Sequence, residues 1–247
     1  MTQLEWEGCV NVRDLGGLPG IEPGRLVRSD TLQRLSDAGW QALVDHGVTR
    51  VVDLRFPHER ALDPPRELPV EVVHVSVLGE WSREGEEEFG RRMDETDDAF
   101  PYLVWSYLEF LERHRAEFGR AVRAVADAPP GAVLVHCHGG KDRTGLVVAL
   151  LLRVAGLDLE TIGADYAATE ENLRARQEAF IAAAPDEREA HRRRIMLPAP
   201  AQAMVDVLQE LERRYGSTEE YLRVAGVPDE AIERIRRRLA RGRAAAA

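Results

Sequence analysis

The chain has 247 residues, 44% of them hydrophobic, with a formal net charge of −10. That length and apolar content suit a single packed domain spanning 1–247. The acidic balance argues against general nucleic-acid binding, which needs a basic footprint. No apolar run reaches the roughly 18 residues of a membrane span, so no stable membrane insertion is expected. The opening Met-Thr-Gln-Leu-Glu-Trp-Glu is acidic and lacks the apolar stretch of a signal peptide. Cys9 and Cys137 make no disulfide framework and fit a reducing compartment. A cytoplasmic protein is expected; export by an unconventional route leaves no trace in such a sequence.

In chain order, residues 11–24 are dense in Gly and Pro and read as turns. Arg25–Arg28 is a short extended segment. Ser36-Asp37 caps a helix that carries Trp40, Leu43 and Val44 and ends near Gly47. The β-branched run Val48–Leu54 reads as a buried strand, and Val70–Leu78 as another. Residues 79–98 are rich in Glu and Asp without an apolar period. They are expected to form a solvated, mobile lid over about 79–100, with at most a short helix. Tyr102–Ala126 is helical in pattern until Pro129-Pro130-Gly131 stops it. Ala132–Val135 is a short apolar run typical of a strand buried on both faces. A helix apolar on nearly all sides begins near Thr144. Further helices are expected at about 158–183, 200–215, 218–225 and 228–240, with a Pro- and Arg-containing connection over 184–199 and a frayed tail at 241–247. Strands alternating with helices imply an α/β fold, a mainly parallel central sheet flanked by helices, with a helical C-terminal third.

Between the last strand and the apolar helix lies His136-Cys-His-Gly-Gly-Lys-Asp-Arg-Thr-Gly145. Ligands bind at the carboxyl ends of strands in such sheets. The helix N-terminus points free N–H groups and its positive dipole end at the loop, which is an anion site before any side chain is added. Gly139 and Gly140 let the backbone curl so that several N–H groups converge. Arg143, six positions after Cys137, can hold two oxygens of a tetrahedral anion. The same field favours a Cys137 thiolate. Such a thiolate inside a phosphate cradle is poised for in-line attack on phosphorus, giving a phosphocysteine whose charge the amides and Arg143 hold. The Thr144 hydroxyl can assist the sulfur as leaving group. This chemistry needs no cofactor and no metal. A metal site on Cys137, His136 and His138 is disfavoured, because three adjacent residues cannot all face one ion. His136 ends a strand and reads as structural. Lys141 is the only lysine in the chain, where every other simple positive charge is arginine.

Cys-x5-Arg-Thr preceded by His resembles the cysteine-dependent phosphatases. The fuller His-Cys-x-x-Gly-Lys-Asp-Arg-Thr-Gly resembles one branch, the atypical bacterial tyrosine phosphatases that also accept phosphoserine, phosphothreonine and phosphoinositides. Asn11-Val-Arg-Asp-Leu-Gly-Gly, Arg25-Leu-Val-Arg-Ser-Asp, Asp53-Leu-Arg, Ala164-Asp-Tyr and Tyr215-Gly-Ser with Tyr221-Leu-Arg-Val-Ala-Gly follow that family's pattern in order, so the resemblance covers nearly the entire chain. It implies a cysteine-phosphatase-like fold, Cys137 as nucleophile and Arg143 as phosphate binder. It places Lys141 at the pocket rim, suited to doubly charged or inositol phosphates, and has Asp142 orient Arg143 or the loop. His138 stands where an apolar or small residue is more usual; it either binds substrate or faces solvent, and solvent is the preferred reading.

Related enzymes take their general acid from an aspartate on a loop after an earlier strand. Here Glu80 falls at that place, with Asp94, Asp97 and Asp98 as competitors. Asp53 and Arg55 end a strand near the same edge, where either can line the pocket, and a structural role is the preferred reading of Asp53. Arg192-Arg193-Arg194 reads as a solvated helix face, with an anionic substrate or surface as the alternative. The expected activity is protein-tyrosine phosphatase, on a phosphotyrosyl protein, by a monomer. A phosphoinositide or dual-specificity phosphatase shares the mechanism. A catalytically dead phosphate-binding module would lack the Cys or the Arg, and both are present. Sulfurtransferase loops seldom carry the Lys-Asp-Arg-Thr run.

Overall fold

The structure, a computed structural model, describes residues 1–63, 70–80 and 82–241. Six strands form one sheet: β1 (Thr2–Gln3), β2 (Arg13–Asp14), β3 (Leu26–Ser29), β4 (Val48–Asp53), β5 (Glu71–His74) and β6 (Ala132–His136). Their order is β1-β2-β3-β6-β4-β5. The β3–β6, β6–β4 and β4–β5 pairs are parallel, and β1–β2 and β2–β3 are antiparallel. The chain leaves a gap between β3 and β4 and fills it last, with β6. The residue after β6 is therefore flanked by the ends of two parallel strands, Ser29 and Asp53 both pairing with His136.

All five residues of β6 are buried, which is why the strand reads as an unbroken apolar run. Val133, Val135 and Cys137 face one core and Ala132 and Leu134 the other. The second, smaller core is closed by Trp6 and by α1 (Asp37–Asp45), whose cap is the Ser36 hydroxyl accepting from Gly39 N at 3.1 Å. The larger core is closed by α3 (Arg83–Asp94), α4 (Ala99–Arg113), α5 (Arg115–Ala126), α6 (Asp142–Val154), α7 (Leu159–Ala182), α8 (Glu187–Met196), α9 (Ala201–Tyr215), α10 (Thr218–Val224) and α11 (Asp229–Leu239). A single turn, α2 (Pro57–Arg60), follows β4. The apolar helix α6 runs through the middle of this core. Leu150, Leu151 and Leu152 are 0% exposed, and a fully buried side chain of that kind contributes roughly 1.5–3 kcal/mol.

Four local expectations differ from the structure. Val70–Leu78 is extended as a strand only over Glu71–His74. The 102–126 helix is two helices, because His114 takes φ −115° and ψ 28° and turns the axis between α4 and α5. The acidic segment after residue 79 contains the twelve-residue α3, packed rather than free: the Ser82 hydroxyl caps Gly85 N, and the buried Phe89 stacks on Phe110 at 5.1 Å. The 184–199 connection contains α8, capped by Asp186 and anchored by Ala190 and Ile195. Residues 242–247, most of the expected frayed tail, lie outside the described residues. Among the described residues no helix is long and apolar enough to cross a membrane.

Candidate active site

The loop after β6 is built so that its carbonyls point outward into fixed donors. Asn11 Nδ2 donates to Gly139 O at 3.0 Å and to Gly140 O at 3.3 Å. The Arg28 guanidinium donates to Gly140 O at 2.8 Å, and Thr31 N to His138 O at 2.9 Å. With the carbonyls held, the loop N–H groups are free to face the Cys137 side, and Gly140 N donates to Cys137 Sγ at 3.2 Å. Gly140 has φ +67°, and a Cβ there would stand 2.4 Å from Ser29 O. Only glycine fits that position without displacing the β3 end. Gly139 is different: a Cβ there meets only Leu173, at 3.8 Å.

Beneath the loop lies a buried charge cluster. Asp165 of α7 accepts from Arg13 Nε at 2.8 Å and from Arg28 at 2.5 Å, all three side chains being 1% exposed. Arg13 also donates to Asn11 Oδ1 at 2.6 Å, which fixes the amide that holds the loop. Two guanidiniums against one carboxylate leave a net positive charge under the anion cradle. Burial, with repulsion from Arg28, pushes the Arg13 pKa down to about 10, so the group stays charged at neutral pH. Sequence reading quoted Asn11, Arg13, Arg28 and Asp165 within motifs but gave them no task. The available signal was charged residues placed in otherwise buried segments.

His136 and Asp53 support the loop from the strand side. His136 Nδ1 lies 3.1 Å from Cys137 O, and its other ring nitrogen 3.6 Å from Asp53. Burial lowers the His136 pKa against the pull of Asp53. Asp53 also accepts from Arg55 Nε at 3.0 Å and from its terminal nitrogen at 2.9 Å. Despite burial, His136 and Arg55 bring the Asp53 pKa down to about 2. Both side chains are buried and bond within the protein.

Arg143 donates twice to Glu59 of α2, at 2.5 and 3.0 Å, and its guanidinium carbon sits 4.8 Å from the Phe56 ring centre. Glu59 in turn accepts from Phe56 N at 2.7 Å. Burial works against the Arg143 charge, but the Cys137 sulfur and Glu59 outweigh it and raise the pKa. An arginine has five N–H donors, so the two given to Glu59 leave three for a ligand. Sequence reading missed Glu59 altogether; its only mark is an acid two positions after the helix-starting Pro57. His138 is exposed, with Nδ1 3.8 Å from Glu59. Thr144 is fully buried, and its hydroxyl makes no hydrogen bond among the described residues.

Lys141 departs from the rim position expected of it. It is 3% exposed. Its ammonium lies 2.6 Å from Asp142 Oδ1 and donates to Met196 O at 2.9 Å and Pro198 O at 3.1 Å. Asp142 likewise does not bond Arg143; its partners are Lys141 and the Tyr107 hydroxyl. The reason is the short α8–α9 connection, which brings two backbone carbonyls over the loop where no sequence motif announces them.

Arg143 and Asp142 floor a cavity of about 550 Å³, walled by Phe89 of α3 and Tyr102 of α4 and roofed by Arg192 and Met196 of α8. The roof is tied to α3. Asp94 accepts from Arg192 at 2.7 Å and from Arg188 at 2.6 Å, and His191 Nε2 lies 3.0 Å from both Met93 O and Thr96 O. Arg192 is thus an ion-paired cavity residue rather than a freely solvated one. Those arginines hold the Asp94 pKa well below the usual carboxylate range, and Asp98 caps α4 through Phe100 N at 3.0 Å. Glu80 is exposed two residues beyond Leu78, which does line the cavity. The carboxylates that line it are Glu86, Asp142 and Glu189. A larger groove, of about 680 Å³, lies around Arg25, Arg237 and Arg238 at the opposite ends of the parallel strands. Among the described residues no cluster of His, Cys, Asp and Glu forms a metal site.

Comparison with known proteins agrees with this geometry. The sequence model of the tyrosine phosphatase family matches residues 4–241. The chain is 32% identical to the triple specificity protein phosphatase PtpB of Mycobacterium tuberculosis, over 96% of this chain and 98% of that protein. It is 29% identical to a tyrosine-protein phosphatase of Nostoc commune, over 89% of this chain and 75% of the relative.

Proposed function

The chain belongs to the tyrosine phosphatase family and is a protein-tyrosine phosphatase, and from that premise we propose that it works through a phosphocysteine on Cys137. The observation that carries the reading is the placement of Cys137 Sγ. It sits 2% exposed at the end of the central strand, receives Gly140 N at 3.2 Å, and shares its cradle with Arg143.

In the first step the Cys137 thiolate attacks phosphorus, the S–P bond forms, and the P–O bond to the substrate breaks. The departing phenolate takes a proton from an acid at the cavity. In the second step water attacks phosphorus and gives a proton back to that same acid, the S–P bond breaks to restore the thiolate, and inorganic phosphate leaves. The loop amides and the free N–H groups of Arg143 hold the equatorial oxygens in both steps. The unpartnered Thr144 hydroxyl is the donor assigned to the leaving sulfur. Glu80 is the proton donor assigned from its position after β5. It is exposed two residues after the cavity-lining Leu78, and Glu86 and Glu189, which line the cavity, are its competitors. Asp94 is no longer one, since its two arginines keep it ionised.

A broader specificity, toward phosphoserine, phosphothreonine and phosphoinositides, is the second reading. Arg192 and Arg193 on the cavity roof favour it, as does the triple specificity named for the mycobacterial relative. The two free cysteines fit a reducing compartment. The deciding experiment assays a phosphotyrosyl peptide, a phosphoseryl peptide and phosphoinositide vesicles, in chelator, with wild type and Cys137→Ser. Hydrolysis by wild type alone is expected, and the ratio among substrates sets the specificity. Equal hydrolysis by both proteins would overturn the mechanism.

A further inference from the structure

Asp142 raises an electrostatic difficulty. Its side chain is 36% exposed, against 4% for Lys141, and it lines the cavity floor beside Arg143. A carboxylate facing the space that a phosphate dianion enters opposes binding. The chain answers with its one lysine. The Lys141 ammonium has three N–H groups, and four acceptors surround it: Asp142 Oδ1, Met196 O, Pro198 O and, at 3.3 Å, the Tyr107 hydroxyl. No donor is left to reach a substrate. The Tyr107 hydroxyl donates to the same Asp142 Oδ1 and is itself 2.7 Å from the Tyr166 hydroxyl. A buried, compact ammonium meets acceptors in several directions, which a planar guanidinium cannot do.

We propose that Lys141 is a positioning residue that masks the charge of Asp142, so that phosphate binds beside a carboxylate, and that Lys141 does not itself touch the substrate. The proposal rests on the phosphatase reading of the site. Burial works against the Lys141 charge, but Asp142 and Tyr166 outweigh it and raise the pKa above the ordinary lysine value, so the mask is charged throughout the neutral range. The mask also joins the loop to the cavity roof, because two of its acceptors end and follow α8.

A double-mutant cycle tests this. Lys141→Met, Asp142→Asn and the pair are compared with wild type by the inhibition constant of inorganic phosphate and by KM and kcat on a phosphotyrosyl peptide, with thermal melting as a check on folding. Lys141→Met is expected to weaken phosphate inhibition by about tenfold or more, because it leaves the Asp142 charge uncompensated. Adding Asp142→Asn is expected to restore most of that loss. No restoration in the pair would overturn the proposal, since a direct substrate contact or a purely structural anchor is not repaired by removing Asp142. If Lys141→Met fails to fold, Asp142→Asn alone decides. Phosphate inhibition as tight as wild type or tighter supports the mask; inhibition weakened by about tenfold overturns it. Wild-type hydrolysis and its loss in Cys137→Ser are read separately, so failure of the mask leaves the catalytic reading intact.

Discussion

Arg143 is held by Glu59 through two hydrogen bonds, at 2.5 and 3.0 Å. The pair fixes the plane of the guanidinium that must meet the equatorial oxygens. Pre-orientation of this kind is worth most when the transferred group passes through a planar arrangement, where an error of about 1 Å costs on the order of 100-fold in rate. Glu59→Gln keeps the shape but loses the charge. It is expected to lower kcat/KM by about 10- to 100-fold with little loss of thermal stability, read by steady-state kinetics and melting. Burial opposes ionisation of Glu59, but Arg143 prevails and lowers its pKa. The clamp therefore stays formed above the ordinary glutamate range, and wild type should show no loss of Arg143 positioning between neutral pH and about pH 5.

The two glycines of the loop should separate cleanly. Gly140→Ala forces a Cβ to 2.4 Å from Ser29 O at φ +67°, so activity should fall to background and the melting temperature with it. Gly139→Ala, with only Leu173 at 3.8 Å, should fold and retain a measurable rate. Equal tolerance at both positions would show that the loop does not close on β3 as described.

Asp53 links stability to acid. Its folded pKa is about 2, below the unfolded value of ~3.9. A depressed carboxylate contributes stability that is full above the unfolded value and is lost as pH falls toward the folded one. Asp53→Asn should therefore destabilise the protein at pH 7, by on the order of 3 kcal/mol for a broken buried ion pair. The gap to wild type should close between about pH 4 and pH 2. Denaturant melts at pH 7 and at successively lower pH measure both halves of the statement.

For the proton donor, Glu80→Gln should remove the basic limb of the pH–rate profile and cut kcat for poor leaving groups by about 10²-fold or more, while sparing substrates whose leaving group needs no proton. A profile unchanged in Glu80→Gln moves the assignment to Glu86 or Glu189, which the same measurement then tests in turn.

The loop's geometry was legible in the sequence because it is contiguous. Cys137, Gly140, Arg143 and Thr144 lie within eight residues, and a strand on one side with an apolar helix on the other fixes their geometry. What surrounds the loop was not legible, for a physical reason. Asn11, Arg28, Glu59 and Asp165 arrive from four segments that meet only because β6 is inserted between β3 and β4. The helices of the cavity were hidden for another reason. α3 buries only Phe89 and Gly90, and α8 only Ala190 and Ile195, too few apolar positions to show a period against their many charges. Lys141 was misplaced because two of its partners are backbone carbonyls, which carry no residue-type signature.

The central claim is that phosphate passes through the Cys137 sulfur, and rapid acid quench of the reaction with a phosphotyrosyl peptide, followed by mass spectrometry of the digested enzyme, tests it most directly. A phosphate adduct on the peptide containing Cys137, absent from Cys137→Ser and decaying as inorganic phosphate appears, is the predicted result. Turnover of the peptide with no adduct at Cys137, or with full activity in Cys137→Ser, would contradict the account.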